Sequence, residues 1–272
     1  MTPFPTRRIL VPVDFSALSR AAWNWARAFG GADGRLEALF VHEAVPTALM
    51  GLPPAGFLTP AAKRKLARRL SEEYPGCRAR VEEGPVIPAI LRRARQADLV
   101  VMGSSGRHGL ELVVNGSVSE AVVRASPVPV LAVKAGCHPI RSIVAPMCVE
   151  RYARRGLRTA AEAAARFDAG LTVLHVQPDR NDVGNARFFL SGMLERLPAS
   201  LRREPPPVVL LERGETLPTI LREARNFDLV VLTAHRKSLL GDVVLGTTAE
   251  RVLRHSRVPV LAVPSGREIT LF

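Results

Sequence analysis

The hexapeptide Val128-Pro129-Val130-Leu131-Ala132-Val133 occurs a second time, unchanged, as Val258-Pro259-Val260-Leu261-Ala262-Val263. Asp98-Leu99-Val100-Val101 returns as Asp228-Leu229-Val230-Val231, Ile90-Leu91-Arg92 as Ile220-Leu221-Arg222, and Gly84 with Pro88 as Gly214 with Pro218. Each pair is 130 positions apart, and Ile9-Leu10-Val11-Pro12 matches Ile143-Val144-Ala145-Pro146 at 134. A unit of this size is a domain and not a solenoid repeat. The chain is therefore expected to be a tandem duplication, with domains over 1–138 and 139–272. Lys134-Ala135-Gly136-Cys137-His138-Pro139 is the expected linker.

Within the first unit short apolar runs alternate with longer helical patterns. Strands are expected over Arg8–Val13, Leu36–Val41, Cys77–Val81, Asp98–Met102 and Val128–Val133, and helices over Ala17–Phe29, Pro60–Tyr74, Pro85–Gln96 and Ser117–Arg124. The second unit repeats the order from Arg141 to Val263. Apolar strands separated by helices call for an α/β fold, a parallel sheet with helices on both faces. Ligands of such sheets sit beyond the C-terminal ends of the strands, at the switch point between the first and fourth. Asp14 follows the first strand there, and a glycine-rich loop follows the fourth.

That loop runs Gly103-Ser104-Ser105-Gly106, then nine residues, then Gly116-Ser117-Val118-Ser119 at the start of a helix. Glycine lets backbone N–H groups approach an anion closely, and the helix start adds free donors and partial positive charge. Ser117-Val118-Ser119-Glu120 is also a capping box that would start a helix without any ligand, and Thr247-Thr248-Ala249-Glu250 repeats it. Gly116-Ser117 is open between the two roles. Gly103 and Gly106 discriminate better, because the second unit has Thr233 and Arg236 in their places. The duplicated fold evidently does without those glycines, which points to a ligand in the first unit. Asp14 could serve as a simple turn or N-cap residue. Its counterpart Cys148 cannot accept hydrogen bonds as a carboxylate does.

These residues resemble the universal stress protein family in its tandem form. The resemblance rests on Val11-Pro12-Val13-Asp14-Phe15-Ser16, Met102-Gly103-Ser104-Ser105-Gly106-Arg107, Asn115-Gly116-Ser117-Val118-Ser119-Glu120 and the closing Pro127–Val133 strand. It covers nearly the whole chain. It implies two Rossmann-like domains of the adenine nucleotide alpha hydrolase-like type, each a five-stranded parallel sheet. It also implies an ATP site in the first domain, with Mg²⁺ neutralising the phosphates. Asp14 and the backbone of Val41 would meet the adenine and ribose side, and Pro12 and Met102 would line that pocket. Gly103, Gly106 and Arg107 would lie along the phosphates, which Gly116, Ser117, Val118 and Ser119 would bind through N–H groups and hydroxyls. The second domain has lost Asp, Gly and Gly together and is expected to bind no ATP in this mode. Arg236 could fill its phosphate space, or, with His235 and Lys237, take another anion. The family's role implies a stress-response sensor or regulator. It also implies that Val128–Val133 and Val258–Val263 pair as an internal pseudo-dimer, with a further homodimer open.

Composition bounds the remaining classes. Three cysteines without a CxxC argue against a disulfide framework or structural zinc. The N-terminus lacks a long apolar stretch and no run is long enough to span a bilayer, so a cytoplasmic protein without membrane partners is expected. The net charge of +13 would attract nucleotides or acidic surfaces. The densest basic run, Lys63-Arg64-Lys65 with Arg68 and Arg69, carries no interleaved aromatics and suits a solvated helix face. Nucleic acid is therefore not an expected partner, and a basic scaffold for an acidic partner or nucleic acid is the alternative. The candidates for a γ-phosphate clamp, Arg107 and His108, have no visible orienting partner, so at most slow ATP hydrolysis is expected.

Overall fold

A computed structural model describes residues 7–43, 56–104, 118–134, 136–148, 153–177, 183–234, 236–239, 242–245 and 247–265. The side chains of 183–184, 236–239, 242–245 and 247 are not part of that description. The chain divides into two compact units, one within residues 6–137 and the other from His138 onward.

The first unit runs β1 (Arg8–Pro12), α1 (Ala17–Gly30), β2 (Arg35–His42), α2 (Pro60–Glu73), β3 (Arg78–Glu83), α3 (Val86–Ala94), β4 (Leu99–Gly103), α4 (Val118–Ala125) and β5 (Val130–Val133). Its strands lie in the order β3-β2-β1-β4-β5, all parallel. The two innermost, β1 and β4, are apolar and buried along nearly their whole length, because helices cover both their faces. Edge strand β3, Arg-Ala-Arg-Val-Glu-Glu, is only half-buried. Right-handed crossovers put α1 and α2 on one face, and α3 and α4 on the other. The chain thus departs from β1 and β4 toward opposite faces, which opens a crevice beyond their C-terminal ends.

Helix α1 lays Ala22, Trp25, Ala26 and Phe29 into the core at helical spacing, all fully buried. Burying Trp25 or Phe29 contributes about 3 kcal/mol each. The helix begins at Ser16, whose hydroxyl accepts from the Ser19 amide at 3.1 Å, and ends at Gly31 with φ 61°. Helix α2 starts on Thr59 with Pro60 in its first turn, and buries only Leu70, with Tyr74 just beyond its end.

The second unit runs β6 (Ser142–Pro146), α5 (Ala153–Phe167), β7 (Gly170–Gln177), α6 (Val183–Glu195), β8 (Val208–Arg213), α7 (Thr216–Ala224), β9 (Leu229–Ala234), β10 (Arg236–Leu239), β11 (Asp242–Leu245), α8 (Thr247–His255) and β12 (Val260–Pro264). Its parallel strands take the same order, β8-β7-β6-β9-β12.

The two-domain α/β fold expected from the sequence is the one found, with differences at particular segments. Strand β5 begins at Val130 and not at Val128, because Ser126 turns the chain: the Val128 amide donates to Ser126 Oγ at 3.2 Å, and that hydroxyl donates to the Val128 carbonyl at 2.7 Å. The segment after β9, expected as a loop, holds the antiparallel hairpin β10–β11 with Leu239 paired to Asp242. Lys134, expected in the linker, is half-buried at the end of β5.

Candidate functional site

Asp14 stands two residues beyond β1, and Phe15 after it has φ 64°, so the backbone turns sharply into α1. The carboxylate is held by its own turn. Its Oδ1 accepts from the Ser16 amide at 3.0 Å and from the Ser19 hydroxyl, while the Asp14 amide donates to Ser19 Oγ at 3.0 Å. Burial works to raise the carboxyl pKa, but the hydrogen bonds from Ser16 and Ser19 outweigh it and hold Asp14 below the usual value. The group is a fixed anion that still faces solvent, with acceptor capacity left for a ligand hydroxyl.

Aromatic packing keeps that turn in place. Phe15 lies 5.2 Å from Phe40 and 6.3 Å from Tyr74, and Trp23 meets Tyr74 edge-on at 5.4 Å. The Arg69 guanidinium sits 3.9 Å from the Phe15 ring centroid. Arg69 also pairs with Glu73, and Lys63 with Glu83 at 2.7 Å. Part of the basic face of α2 is thus engaged with acidic partners and with the ring beside Asp14.

The Val13 amide donates to the Leu39 carbonyl at 2.9 Å, closing the β1–β2 ladder. Along a strand the backbone groups alternate sides, so Val41, two residues on, points the same way as Leu39 but past the end of β1. Its amide and carbonyl therefore lie on the β1 side of β2, beyond the last residue of β1. Pro12 is half-buried beside it. Met102 is 5 % exposed within β4.

Gly103 has a packing reason for its identity. A Cβ there would lie 2.7 Å from Leu18 Cβ and 3.3 Å from the Leu18 carbonyl carbon and oxygen in the first turn of α1. The second unit solves the same contact in reverse. Thr233 occupies the Gly103 position, and the helix residue facing it is Gly156, whose added Cβ would collide with the Thr233 hydroxyl and come 3.3 Å from its Cβ. Leu18 and Gly156 are equivalent once the longer loop before α5 is allowed for. The inference that the fold does without a glycine here is therefore corrected: glycine and side chain have changed places across one helix–strand contact. Gly103 can still admit a phosphate, but its presence does not by itself signal one.

On the α4 side, Ser104 and Ser119 are buried, and Ser119 Oγ donates to Ser104 Oγ at 3.3 Å. The Ser119 hydroxyl thus turns inward toward Ser104. Val118 begins α4 and is 41 % exposed. Lys134 Nζ donates to Ser104 Oγ at 3.0 Å. Burial lowers the Lys134 pKa, and the nearby Glu120 carboxylate opposes that shift. Sequence reasoning missed this lysine; the available signal was Lys134 against Pro264 at the end of the repeated strand. Gly106, Arg107, Gly116 and Ser117 lie outside the described residues.

The equivalent edge of the second unit is built differently. Cys148 stands for Asp14, Ala234 for Ser104, Ala249 for Ser119 and Pro264 for Lys134. His175 Nδ1 lies 2.8 Å from the Met147 carbonyl and so donates to it, placing an imidazole where the first unit has Phe40. Among the described residues, no group of three His, Cys, Asp or Glu could hold a metal ion, and no helix is long and apolar enough to cross a membrane. Cys77, Cys137 and Cys148 form no disulfide. A cavity of about 530 Å³ lies at the N-terminal end of the sheet, lined by Arg8, Glu37, Cys77 and Arg93 among others. Arg93 holds Glu37 there in a two-pronged pair, and Arg8 pairs with Asp98.

Comparison with known proteins agrees with this architecture. The model of the universal stress protein family matches the chain twice, over residues 5–134 and 139–264. A universal stress protein of Methanocaldococcus jannaschii is 32% identical over 145 residues, covering 47% of this chain and 82% of its own. One from Mycolicibacterium smegmatis is 24% identical over 294 residues, covering 94% and 96%. One from Mycobacterium bovis is 26% identical over 196 residues, 64% of either chain. Among solved structures, a universal stress protein of Archaeoglobus fulgidus superposes with a TM-score of 0.69 at 22% identity, covering 97% of this chain and all of that one.

Proposed function

We propose that this chain, which belongs to the universal stress protein family, binds ATP in its first unit and not in its second, and that the bound nucleotide regulates its interactions during stress. The observation that carries the proposal is the asymmetry of the two crevices. In the first, Asp14 supplies a fixed carboxylate beyond the end of β1, and a cation and two hydroxyls stand behind the start of α4. In the second, the equivalent positions hold Cys148, Ala234, Ala249 and Pro264.

The division suits a nucleotide. A carboxylate accepts from ribose hydroxyls, and a helix N-terminus backed by an ammonium favours phosphate. Mg²⁺ would arrive on the phosphates, since the described residues offer no metal-ligating cluster. The proposed role is binding and regulation without fast turnover: Asp14 is on the nucleoside side and cannot serve as a base at the γ-phosphate.

The test is equilibrium dialysis of labelled Mg-ATP against the nucleotide-stripped full chain and its Gly106→Arg variant, which copies Arg236. The wild type should bind and the variant should lose binding while keeping its far-ultraviolet circular dichroism. Equal binding by both would refute the assignment of the loop.

A further inference from the structure

The donor balance around Ser104 shows what the first unit keeps at its phosphate end. Ser104 Oγ receives two hydrogen bonds, from Ser119 Oγ at 3.3 Å and from Lys134 Nζ at 3.0 Å, which occupy both its lone pairs. The cluster is rich in donors: an ammonium with three N–H groups, of which one goes to Ser104, and the Ser104 hydroxyl proton. It comes from three elements, the end of β4, the first turn of α4 and the end of β5. Both serines are buried and the lysine is half-buried, so the charge is held at a cost in hydration.

One structural explanation would be that Lys134 neutralises the buried carboxylate Glu120. The second unit argues against it. Glu250 occupies the same position with Pro264 in place of the lysine, and pairs instead with Arg254 at 3.5 Å on its own helix. The first unit has Arg124 at that helical position. The fold therefore does not require a lysine after its last strand, and the lysine occurs only in the unit that keeps Asp14 and the serine pair.

We propose that Lys134 is a specificity-determining residue of this site, whose ammonium donates to the outer phosphates of the bound nucleotide and makes the first unit prefer a triphosphate to a monophosphate. Ser104 holds the ammonium at the sheet edge before the ligand arrives, which limits the side-chain freedom lost on binding. Arginine could not sit there equivalently, because the compact ammonium fits against a single hydroxyl, whereas a guanidinium needs a planar fork of acceptors. The inference rests on the nucleotide reading above.

The experiment is a calorimetric titration of the full chain with Mg-ATP, Mg-ADP and AMP, for the wild type, Lys134→Met and Lys134→Gln. A charge-assisted hydrogen bond lost from the ligand should weaken Mg-ATP binding about 10- to 100-fold in both variants, with AMP affinity kept within about twofold. The preference for ATP over AMP would then collapse. Two variants of different polarity guard against a folding defect in one, and both should melt as cooperatively as the wild type. Unchanged Mg-ATP affinity would overturn the proposal, as would an equal loss for ATP and AMP, which would mark Lys134 as a structural support. A wild type that binds none of the three would overturn the nucleotide reading and this proposal with it.

Discussion

Replacing Gly103 by Thr, the residue its counterpart carries, tests whether the helix–strand contact is the first demand on that position. The new Cβ would lie 2.7 Å from Leu18 Cβ and 3.3 Å from the Leu18 backbone. None of those atoms is the free end of a side chain, so α1 must shift or β4 must bend. Overpacking of this kind costs about 1–3 kcal/mol. For a unit of this size that is a fall in melting temperature of about 4 °C per kcal/mol, hence about 4–12 °C. Leu18→Gly alone should also destabilise, since glycine costs about 1 kcal/mol in a helix. Together the two changes recreate the arrangement of Gly156 and Thr233, in which the side chain fills the helix notch. The double variant should therefore be more stable than the sum of the singles by about 1–3 kcal/mol, a coupling that only contacting residues show. The assay is a double-mutant cycle by urea denaturation of the full chain, following the transition of the first unit by tryptophan fluorescence, because Trp23 and Trp25 both lie there. An additive cycle, or a Gly103→Thr variant as stable as the wild type, would refute the packing argument.

Three further outcomes are expected. Asp14→Asn keeps an oxygen for the Ser16 amide and the Ser19 hydroxyl, so stability should change by less than about 1 kcal/mol, while Mg-ATP affinity in a fluorescence titration falls at least tenfold; unchanged affinity would remove Asp14 from the site. Ser16→Ala removes the cap of α1 and should cost about 1 kcal/mol in urea denaturation, and no change would show that the helix start is held by other means. For Lys134 the folded pKa lies below the free value of 10.5, so the unfolded chain binds more protons in that window and stability rises with pH across it. Without ligand, the stability difference between the wild type and Lys134→Met should therefore move in the wild type's favour as pH climbs toward 10.5; a constant difference in thermal melts would contradict the desolvated ammonium.

The fold was legible because buried parallel strands leave uninterrupted apolar runs, and because the duplication printed the pattern twice. Leu99–Val101 and Val130–Val133 could hardly be anything else between helical segments. Asp14 was legible for the same reason, since a residue just past the first strand of such a sheet must stand at the switch point. Contacts between distant residues were not legible. The exchange of Leu18 and Gly103 for Gly156 and Thr233 joins a helix start to a strand end far away in sequence, and each glycine alone looks like a loop or helix accident. Lys134 reads as linker in the sequence because Ala135-Gly136-Cys137-His138-Pro139 follows it, while its partner Ser104 lies 30 residues upstream. The inward turn of Ser119 was hidden likewise, because a serine in a capping box gives no sign that its hydroxyl is buried against another. The hairpin Arg236–Leu239 with Asp242–Leu245 escaped because four-residue strands have too little alternation to register against a loop.

The central claim, one working crevice and one altered one, is tested most directly by the stoichiometry of Mg-ATP binding to the stripped wild-type chain in a calorimeter. The account expects one site per chain, weakened by Asp14→Asn and abolished by Gly106→Arg. Two sites per chain would contradict it, because Cys148, Thr233, Ala234, Ala249 and Pro264 would then have to make a nucleotide site by other means.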